Sequence, residues 1–384
     1  MRKRKVLFFA DGLYGGGAER VLQTVLKYLD KDLFDITLYS VKEETLNDLY
    51  PCNINYQYIF HSWNQNDGIL MRLKKKIVNK FKLWIYYHLS PTVFYFLFVK
   101  GKYDVEVAFI EGYATRIVSG STNKESKKIA WVHIDLEKNH WTPIAYRNTN
   151  EEKQCYSRYD TVVGVSQSVM KVNERLFPDI KKNIYIYNPV DAQYILHKAE
   201  INVNINRKAK VFKLVTCGRL VPQKGYVRLI GVIEKLIKEG YELNLIIIGG
   251  GPEEVLLRDK IKEFGLEQKI VLTGFLDNPY PVMKQADCFI CSSYAEGFSL
   301  VILEAMVLGI PVISTNCSGP NELIQNSQYG ILVENSFNGI YDGLKRVLEH
   351  PELLEFYKKM AFERGNDFSM YKVLALIEQL LKTG

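Results

Sequence analysis

Short apolar runs alternate with amphipathic stretches along most of this chain, and loops that contain glycine separate them. Near the amino terminus, residues 6–10 are typical of a buried strand, and a glycine loop leads from them into an amphipathic helix. The same alternation recurs in both halves, which predicts an α/β fold. The other predicted strands of the first half are residues 35–40, 103–110 and 128–133 and the runs that begin near Thr161 and Asn183, with a helix capped by Ser166 between the last two.

The second half restarts the pattern after a polar stretch, residues 192–210, which we interpret as a linker. The strand-like runs that begin at Phe212 and Leu243 each lead through a glycine-containing loop into an amphipathic helix. A further strand begins at Lys269 and ends in a loop at 273–276. Three helices close the chain, with predicted bounds of 339–349, 351–363 and 371–382.

A compact unit in the second half combines two strands with a short apolar helix. Residues 286–292 predict the first strand, and Ser299 is the predicted N-cap of a helix at 300–308. Gly309 ends the helix, because glycine adopts the left-handed conformation that commonly follows a helix. Residues 312–315 predict the second strand.

Two carboxylates lie in this unit. Glu296 falls in the loop ahead of the helix and Glu304 lies about a turn and a half inside it, so their carboxylates are roughly 10 Å apart. A nucleotide-sugar fits in that space, and the backbone amides at 298–301 favour a diphosphate. The alternative is an ordinary crossover in which Glu296 is solvated and Glu304 is half exposed.

Length and composition fit two globular domains. A chain of 384 residues is too long for one common core and fits two domains of about 190 residues. Its 47% hydrophobic and 24% charged residues are those of a soluble globular protein. The thiols of Cys288 and Cys291 point to opposite faces of one predicted strand, which disfavours a metal or redox pair. Residues 1–5 lead straight into a strand without a signal peptide, so we expect a reducing cytoplasm.

Residues 68–103 account for the basicity of the chain, because they contain eight Lys or Arg and no Asp or Glu. Within them, residues 83–99 are uncharged and aromatic, but Pro91 interrupts this run, which is shorter than the roughly 20 apolar residues of a spanning helix. We therefore expect two helices that dip into an anionic membrane surface without crossing it. The alternative is a buried helical hairpin with a solvated basic rim. Nucleic acid is not expected, since no RRM, KH or helix-turn-helix signature accompanies the charge.

Glycines and charged residues occupy the loops that follow predicted strands. Residues 15–17 are all glycine and let the backbone approach a ligand, but they match neither GxGxxG nor a P-loop. His133 ends another strand, with Asp135 two residues on. Arg219 and Lys224 flank a loop in the second half, where both cations can stabilise a diphosphate leaving group. Each of these features also has a plainer interpretation. Gly15 would form an ordinary turn, His133 would be a structural histidine, and Arg219 and Lys224 would be surface cations.

These motifs together resemble one enzyme family. The sequence E-G-F-S-L-V-I-L-E places seven residues between Glu296 and Glu304, which is similar to the EX7E signature of the retaining GT-B glycosyltransferases of family 4. Many members of that family make bacterial polysaccharides or lipid-linked sugars. The sequences G-G-A-E-R at Gly16, W-x-H at His133 and G-R-L-x-x-x-K-G around Arg219 resemble further elements of the family.

The resemblance implies a domain organisation. A GT-B fold consists of two Rossmann-like α/β domains that face a central cleft. It implies an acceptor-side domain at residues 1–190 and a nucleotide-sugar-binding domain at residues 191–366. It also implies that the last segment, residues 367–384, packs back on the first domain.

The resemblance further implies the roles of single residues. Glu304 would bind the ribose hydroxyls, and Glu296 and His133 the donor sugar. Arg219 and Lys224 would hold the diphosphate, so no metal and no cofactor are expected, and the nucleotide-sugar, a UDP-sugar first of all, is a substrate. The implied catalytic residues are Glu296, His133, Arg219 and Lys224. The implied donor-binding residues are Gly16, Gly17, Arg219, Lys224, Gly250, Thr273, Phe275, Phe298, Ser299, Leu300 and Glu304.

The implied activity is transfer of a sugar, with retention, from a nucleotide-sugar to a membrane-associated acceptor such as a lipid-linked glycan. This predicts a cytoplasmic enzyme that is peripheral on the inner face of the cell membrane. Three alternatives stay open: a nucleotide-sugar 2-epimerase of the same fold, a transferase with a soluble acceptor, and a catalytically silent binding subunit.

Overall fold

A computed structural model describes residues 2–47, 50–51, 54–63, 67–201 and 211–383. The chain divides into two compact units, of which the first contains Met1–Pro189 and Tyr371–Gly384 and the second contains Val190–Met370. Each unit is built on its own parallel β-sheet. The predicted boundary after residue 190 lies one residue from this division, and the predicted return at residue 367 lies four residues before it.

The sheet of the first unit has seven parallel strands in the order β3-β2-β1-β4-β5-β6-β7. Its central strands are continuous buried runs, as expected where helices cover both faces of a parallel sheet. The predicted strand at 103–110 is shorter in the structure, where it spans Val105–Ala108. The strands are β1 Arg4–Ala10, β2 Phe34–Lys42, β3 Asn55–Phe60, β4 Val105–Ala108, β5 Lys127–Val132, β6 Thr161–Gly164 and β7 Asn183–Tyr185.

Helices connect these strands. The predicted cap at Ser166 is confirmed, since its hydroxyl accepts a hydrogen bond from the Val169 amide at 3.2 Å. The helices are α1 Gly17–Tyr28, α2 Ile69–His88, α3 Pro91–Phe98, α4 Tyr113–Ser119, α5 Thr149–Tyr156 and α6 Gln167–Leu176.

The basic segment forms two helices, with Pro91 in the first turn of the second, as predicted. The first of them, α2, begins earlier than the apolar run and contains the lysines at 74–76. Only its carboxyl-terminal end is buried, through Ile85 and Tyr86, so part of the aromatic run belongs to the core of the unit. Among the described residues, no helix combines the length and the apolar content needed to span a bilayer.

The sheet of the second unit has six parallel strands in the order β10-β9-β8-β11-β12-β13. The strand at 312–315 has its predicted bounds, whereas the predicted strand at 286–292 is shorter, because residue 286 still belongs to the preceding turn. The strands are β8 Phe212–Cys217, β9 Leu243–Ile248, β10 Ile270–Gly274, β11 Cys288–Cys291, β12 Val312–Thr315 and β13 Ile331–Val333.

The predicted linker at 192–210 contains a helix, α7 Ala192–Ala199, which corrects that interpretation. The Asp191 side chain caps this helix by accepting from the Tyr194 amide at 2.9 Å, and Ile195 is buried beneath it. Residues 202–210 of the predicted linker lie outside the described residues. The other helices of this unit are α8 Tyr226–Lys238, α9 Glu254–Glu263, α10 Tyr280–Met283, α11 Leu300–Val307, α12 Ser318–Ile324, α13 Phe337–Glu349 and α14 Glu352–Gly365.

The last helix, α15 Met370–Lys382, belongs to the first unit for nearly all of its length. The segment through which the chain leaves the first unit is hydrogen-bonded to the segment through which it returns. The Val190 amide donates to the Phe368 carbonyl, and the Met370 amide donates to the Val190 carbonyl. At the other end of the helix, Lys127 of β5 donates to the Leu380 carbonyl at 2.8 Å. A cation at a helix carboxyl terminus is stabilising, so this contact fixes the helix on the sheet.

Candidate active site

The strand order of the second unit reverses between β8 and β11, which are neighbours in the sheet. In open α/β sheets, ligands bind beyond the carboxyl ends of the strands at such a reversal. Arg219 and Lys224 lie in the loop after β8, and Glu296 lies in the loop after β11. The fold therefore brings three predicted site residues to one edge of this sheet.

Lys224 and Glu296 are in direct contact. The Lys224 ammonium group lies 2.6 Å from Oε1 of Glu296, and the same oxygen accepts a hydrogen bond from the Ser293 hydroxyl at 2.7 Å. Burial disfavours the charge on Lys224, but the Glu296 carboxylate outweighs it and raises the pKa of Lys224. Lys224 is therefore charged at neutral pH. The two side chains are 19% and 10% exposed, so a ligand can still reach them.

Two residues that the sequence did not indicate hold the loop that carries Glu296. Arg228 of α8 donates to the Ser292 carbonyl at 2.7 Å, and its guanidinium group lies 4.1 Å from the centre of the Tyr294 ring. Asn335 accepts a hydrogen bond from Arg228 at 2.8 Å and donates to the Tyr294 carbonyl at 3.0 Å. Their distance from Glu296 along the chain hides this role from the sequence pattern.

Glycines after β9 allow two loops to pack closely. A Cβ atom at Gly249 would collide with the Gly218 carbonyl oxygen, and one at Gly251 would lie 2.5 Å from the Leu220 carbonyl oxygen. A Cβ atom at Gly250 would meet nothing nearer than 3.7 Å. Gly249 and Gly251 therefore bring the loop after β9 against the loop that carries Arg219, whereas Gly250 has room for a neighbouring molecule.

Glu304 lies inside α11 and is 5% exposed, so it is buried rather than half exposed. Its Oε1 atom accepts a hydrogen bond from the Tyr280 hydroxyl at 3.2 Å. Ser299 occupies the N-cap position, but its hydroxyl does not cap the helix. That hydroxyl is buried and has no hydrogen-bond partner within the part of the chain that the structure describes. Buried polar groups are normally paired, so Ser299 is suited to bind a ligand.

The other predicted donor-binding residues of this unit differ in exposure. Phe275 is 76% exposed in the loop after β10, whereas Phe298 is 7% exposed and its ring centre lies 5.7 Å from that of Phe368. The Thr273 hydroxyl donates to the Gly274 carbonyl at 2.8 Å. The Arg219 side chain is exposed and makes no hydrogen bond or ion pair with the described residues. Leu300 is partly exposed in the first turn of α11.

The first unit reverses its strand order between β1 and β4. Two carboxylates follow these strands, and sequence reasoning missed both: the part-buried Asp11 and the buried Glu111. Asp11 accepts from the Ala114 amide at 2.6 Å, and Glu111 accepts from the His133 amide at 2.9 Å. Burial raises the pKa of Asp11 to about 8, although hydrogen bonds from the amides of α4 oppose the shift. Both could have been found in the sequence as the first acidic residue after a buried apolar run.

His133 follows β5, as predicted, and is 8% exposed. Its Nε2 atom lies 2.8 Å from the Phe109 carbonyl oxygen, and a carbonyl only accepts, so Nε2 carries the proton. The Nδ1 atom is then an acceptor, and it has no hydrogen-bond partner among the described residues. Burial lowers the pKa of His133 to about 4. At neutral pH this imidazole can accept a hydrogen bond from a hydroxyl group of a ligand.

The glycine loop after β1 leads into α1. Gly16 is the N-cap residue of that helix and Gly17 its first residue, while Gly15 has a φ of 98°, which favours glycine. A Cβ atom at Gly16 would collide with the Glu19 carboxylate. The Nε2 atom of His140 lies 2.9 Å from a carboxylate oxygen of the buried Glu152.

Two Rossmann-like units define the GT-B class of enzymes, as the sequence predicted. Residues 197–364 match the family model described as Glycosyl transferases group 1. The chain therefore carries a group 1 glycosyltransferase domain, and the protein is a glycosyltransferase. The predicted resemblance is confirmed at the level of the group 1 glycosyltransferases.

Two curated relatives match nearly the whole chain. One is the N-acetylgalactosamine-N,N'-diacetylbacillosaminyl-diphospho-undecaprenol 4-alpha-N-acetylgalactosaminyltransferase of Campylobacter jejuni, which is 29% identical over 376 residues, or 96% of this chain and 97% of the relative. The other is the amylovoran biosynthesis glycosyltransferase AmsD of Erwinia amylovora, which is 23% identical over 381 residues, again 96% and 97%.

The fold is similar to that of a crystal structure of Anabaena Alr3699/HepE in complex with UDP and glucose. That comparison gives a TM-score of 0.75 at 19% identity and covers 98% of this chain and 99% of the other. Sucrose-phosphate synthase from Thermosynechococcus elongatus is also similar, with a TM-score of 0.74 at 15% identity and 98% coverage of both chains. These likenesses support the fold.

Proposed function

We propose that this glycosyltransferase moves a sugar, with retention, from a UDP-sugar to a lipid-linked glycan at a membrane surface. The observation that carries the proposal is the contact between Lys224 and Glu296 at the ligand-binding edge of the second sheet. A nucleotide-sugar presents a diphosphate beside sugar hydroxyls, so a cation beside a carboxylate matches it. The Anabaena structure with UDP and glucose supports the choice of donor.

The two cations act on the diphosphate. An ammonium group has three N–H donors, so Lys224 can hold Glu296 and a phosphate oxygen at the same time. The exposed guanidinium group of Arg219 can bind two oxygens in parallel. As the glycosidic bond breaks, negative charge develops on the leaving diphosphate, and these fixed cations stabilise it. In this proposal they take the place of a metal ion, and no cofactor is required.

We assign the remaining donor contacts from the family resemblance, and the burial or exposure of the side chains supports them. Glu304 and the buried Ser299 hydroxyl bind the ribose, and the exposed ring of Phe275 lies beside the base together with Gly250 and Thr273. The amides at 298–300 face the diphosphate at the start of α11. Glu296 binds hydroxyls of the donor sugar. In the first unit, the Nδ1 atom of His133 can accept a hydrogen bond from a sugar hydroxyl, and Gly16 and Gly17 let the backbone approach a ligand.

A stripe of apolar side chains on α2 supports a membrane-borne acceptor. Leu70, Leu73, Ile77, Phe81 and Trp84 recur every three or four residues, so they share one side of the helix. Each is at least half exposed, from 50% for Leu73 to 84% for Leu70. Exposed apolar surface of this extent marks an interaction site.

Lysines flank this stripe, and a buried network fixes the helix beneath it. Lys74, Lys76 and Lys80 are exposed. At the carboxyl-terminal end of the helix, the buried Arg116 donates to the Tyr86 carbonyl at 2.6 Å, which ties α2 to the core. Exposed rings and aliphatic groups bordered by lysines match the acyl boundary and anionic headgroups of a membrane.

The names of the relatives indicate the kind of acceptor. The Campylobacter jejuni relative is named for a diphospho-undecaprenol substrate, which is a lipid-linked sugar, and the Erwinia amylovora relative for biosynthesis of a polysaccharide. By analogy we place this enzyme on the inner face of the cell membrane, where it extends a lipid-linked glycan. Both relatives are transferases, so the 2-epimerase alternative is not favoured.

A transfer assay tests this function. Purified protein is incubated with one radiolabelled UDP-sugar at a time and a bacterial lipid extract, and the label in the organic phase is counted. We expect one UDP-sugar to label the lipids, and Glu296→Gln to abolish this labelling while the surface variant Arg258→Gln retains it. Label that passes only to water-soluble products would favour the soluble-acceptor alternative, and no transfer from any UDP-sugar would overturn the proposed donor.

A further inference from the structure

A cavity of about 330 Å³ opens beside β3, an edge strand of the first unit. Strands β2 and β3 form its floor, and the turn at residues 100–103, which follows α3, forms a wall. None of the residues given a donor-binding or catalytic role above lines this cavity. It is therefore a separate feature of the molecule.

The floor of the cavity is polar. Helices usually cover both faces of a parallel sheet, so its strands present apolar side chains. Here the strand register sets Thr37 opposite Asn55 and Tyr39 opposite Gln57, and all four residues line the cavity. Asn55 donates to the Thr37 hydroxyl at 3.3 Å and accepts from Gln57 at 3.3 Å, so this face is a hydrogen-bonded polar surface that is poorly suited to packing against a helix.

The wall of the cavity is a fixed turn that presents two lysines. Gly101 has a φ of 104°, and it separates Lys100 from Lys102. The Lys100 amide donates to the Tyr39 hydroxyl at 3.0 Å, and the Tyr103 hydroxyl donates to the Lys100 carbonyl at 2.6 Å. Burial raises the pKa of Tyr103 to about 12, so this hydroxyl keeps the proton that it donates. Two largely buried tyrosines therefore fix the backbone of the turn at Lys100.

The cavity carries more positive than negative charge. Lys5, Lys100 and Lys102 line it together with one carboxylate, that of Asp35. Within the described part of the chain, none of these four side chains makes a hydrogen bond or an ion pair. The protein thus leaves three ammonium groups facing a polar cavity without neutralising them.

We propose that this cavity binds a phosphoryl group, whose oxygen atoms accept hydrogen bonds from the three lysines. Asp35 accepts a hydrogen bond from a hydroxyl or ammonium group of the same molecule. The volume lies at the lower end of the roughly 300–1,000 Å³ of small-molecule sites. The turn directly follows α3, where Phe96 is 67% exposed, so the phosphoryl group can belong to a lipid headgroup or to a free phosphorylated molecule.

The experiment uses the full chain and two probes. Inorganic pyrophosphate is titrated by calorimetry, and flotation with phosphatidylglycerol vesicles measures binding to a headgroup. The test variant is Lys100→Gln with Lys102→Gln. The control is Lys153→Gln with Lys171→Gln, which removes two exposed lysines from helices of the same unit. Every protein used for calorimetry also carries Arg219→Ala, so that pyrophosphate binding at the proposed donor site is weakened.

Two results would support the site, and each identifies the kind of molecule that carries the phosphoryl group. A loss of pyrophosphate affinity of about tenfold in the test variant but not in the control indicates a free phosphorylated molecule. A loss of vesicle binding in the test variant alone, without pyrophosphate binding, indicates a lipid headgroup. If the test variant and the control behave alike with both probes, the proposal is wrong. Binding of UDP to proteins with Arg219 intact is measured separately, so failure of the donor site and of this cavity are distinguished.

Discussion

The ammonium group of Lys224 lies 2.6 Å from the carboxylate of Glu296 and joins the loop after β8 to the loop after β11. One ion pair therefore serves two proposed tasks, since it positions the group that binds the sugar and presents the cation that binds the diphosphate. Arg219 lies in the same loop as Lys224, but its side chain is exposed and forms no such pair with the described residues. Replacement of Lys224 therefore breaks an ion pair, whereas replacement of Arg219 does not.

We predict that Arg219→Ala and Lys224→Ala each lower kcat/KM by roughly tenfold to a thousandfold, the range for losing one donor to a developing oxyanion. Only Lys224→Ala should also lower Tm, because it leaves the largely buried Glu296 without its cation, at a cost on the order of 2 kcal/mol. Steady-state kinetics and thermal unfolding check both statements.

The double variant Lys224→Ala with Glu296→Gln is the control for this pair. It removes the unpaired charge, so we expect it to recover part of the lost Tm while its activity stays low. Equal Tm values for wild type and Lys224→Ala would show that the ion pair does not hold the two loops together.

Glu304→Gln should weaken binding of UDP by about tenfold, because a carboxylate accepts hydrogen bonds from two ribose hydroxyls and a carboxamide does so poorly. Calorimetry with UDP measures this effect. Tyr280→Phe is the matched control, since it removes the hydroxyl that donates to Glu304 and leaves the carboxylate in place. Unchanged affinity in Glu304→Gln would remove Glu304 from the donor site.

The stability of the protein should depend on the ionisation of Asp11. Burial raises the pKa of Asp11 from 3.8 to about 8, so the folded protein keeps a proton that the unfolded chain has already lost. The folded state binds more protons in this window, and stability therefore falls as the pH rises from about 4 to about 8. Asp11→Asn cannot ionise, so its Tm should fall less than that of the wild type between about pH 6 and pH 8. Parallel Tm curves for the two proteins would contradict this prediction.

Membrane binding should depend on the exposed lysines of α2. Each lysine near an anionic surface contributes about 1 kcal/mol, so Lys74, Lys76 and Lys80 changed to Glu should strongly reduce flotation with anionic vesicles. Salt at about 1 M should reduce wild-type flotation without abolishing it, because the apolar stripe is not screened. Changing Lys124, Lys153 and Lys171 to Glu is the control for charge alone. Wild-type protein that stays soluble at low salt would favour a soluble acceptor.

Much of the fold could be predicted from the sequence, because buried parallel strands are continuous apolar runs. The strand at 312–315 and the cap at Ser166 show how far such local signals reach. The helix at Ala192–Ala199 was missed because it is short and only Ile195 and Ala199 of its side chains are buried. Its formation depends on tertiary contacts, which local composition does not record.

The sequence indicated the residues of the candidate site better than their contacts. Lys224 and Glu296 are distant in the chain, so their pairing depends on the neighbouring positions of β8 and β11. Within the basic segment, composition alone could not distinguish an exposed lysine from one that is paired with a carboxylate. The structure separates Lys75, which bonds to Asp67 at 2.8 Å, from Lys74 and Lys76, which are exposed.

The stereochemistry of the product distinguishes a metal-free retaining transfer from the alternative reactions. With the UDP-α-sugar that supports transfer, the anomeric configuration of the new linkage is determined by proton NMR in the presence of EDTA. We predict an α-linked product, because the proposed transfer retains the configuration of the donor and uses Arg219 and Lys224 in place of a metal ion. A β-linked product, a free 2-epimer of the donor, or activity that is lost in EDTA and restored by Mg²⁺ would contradict the account.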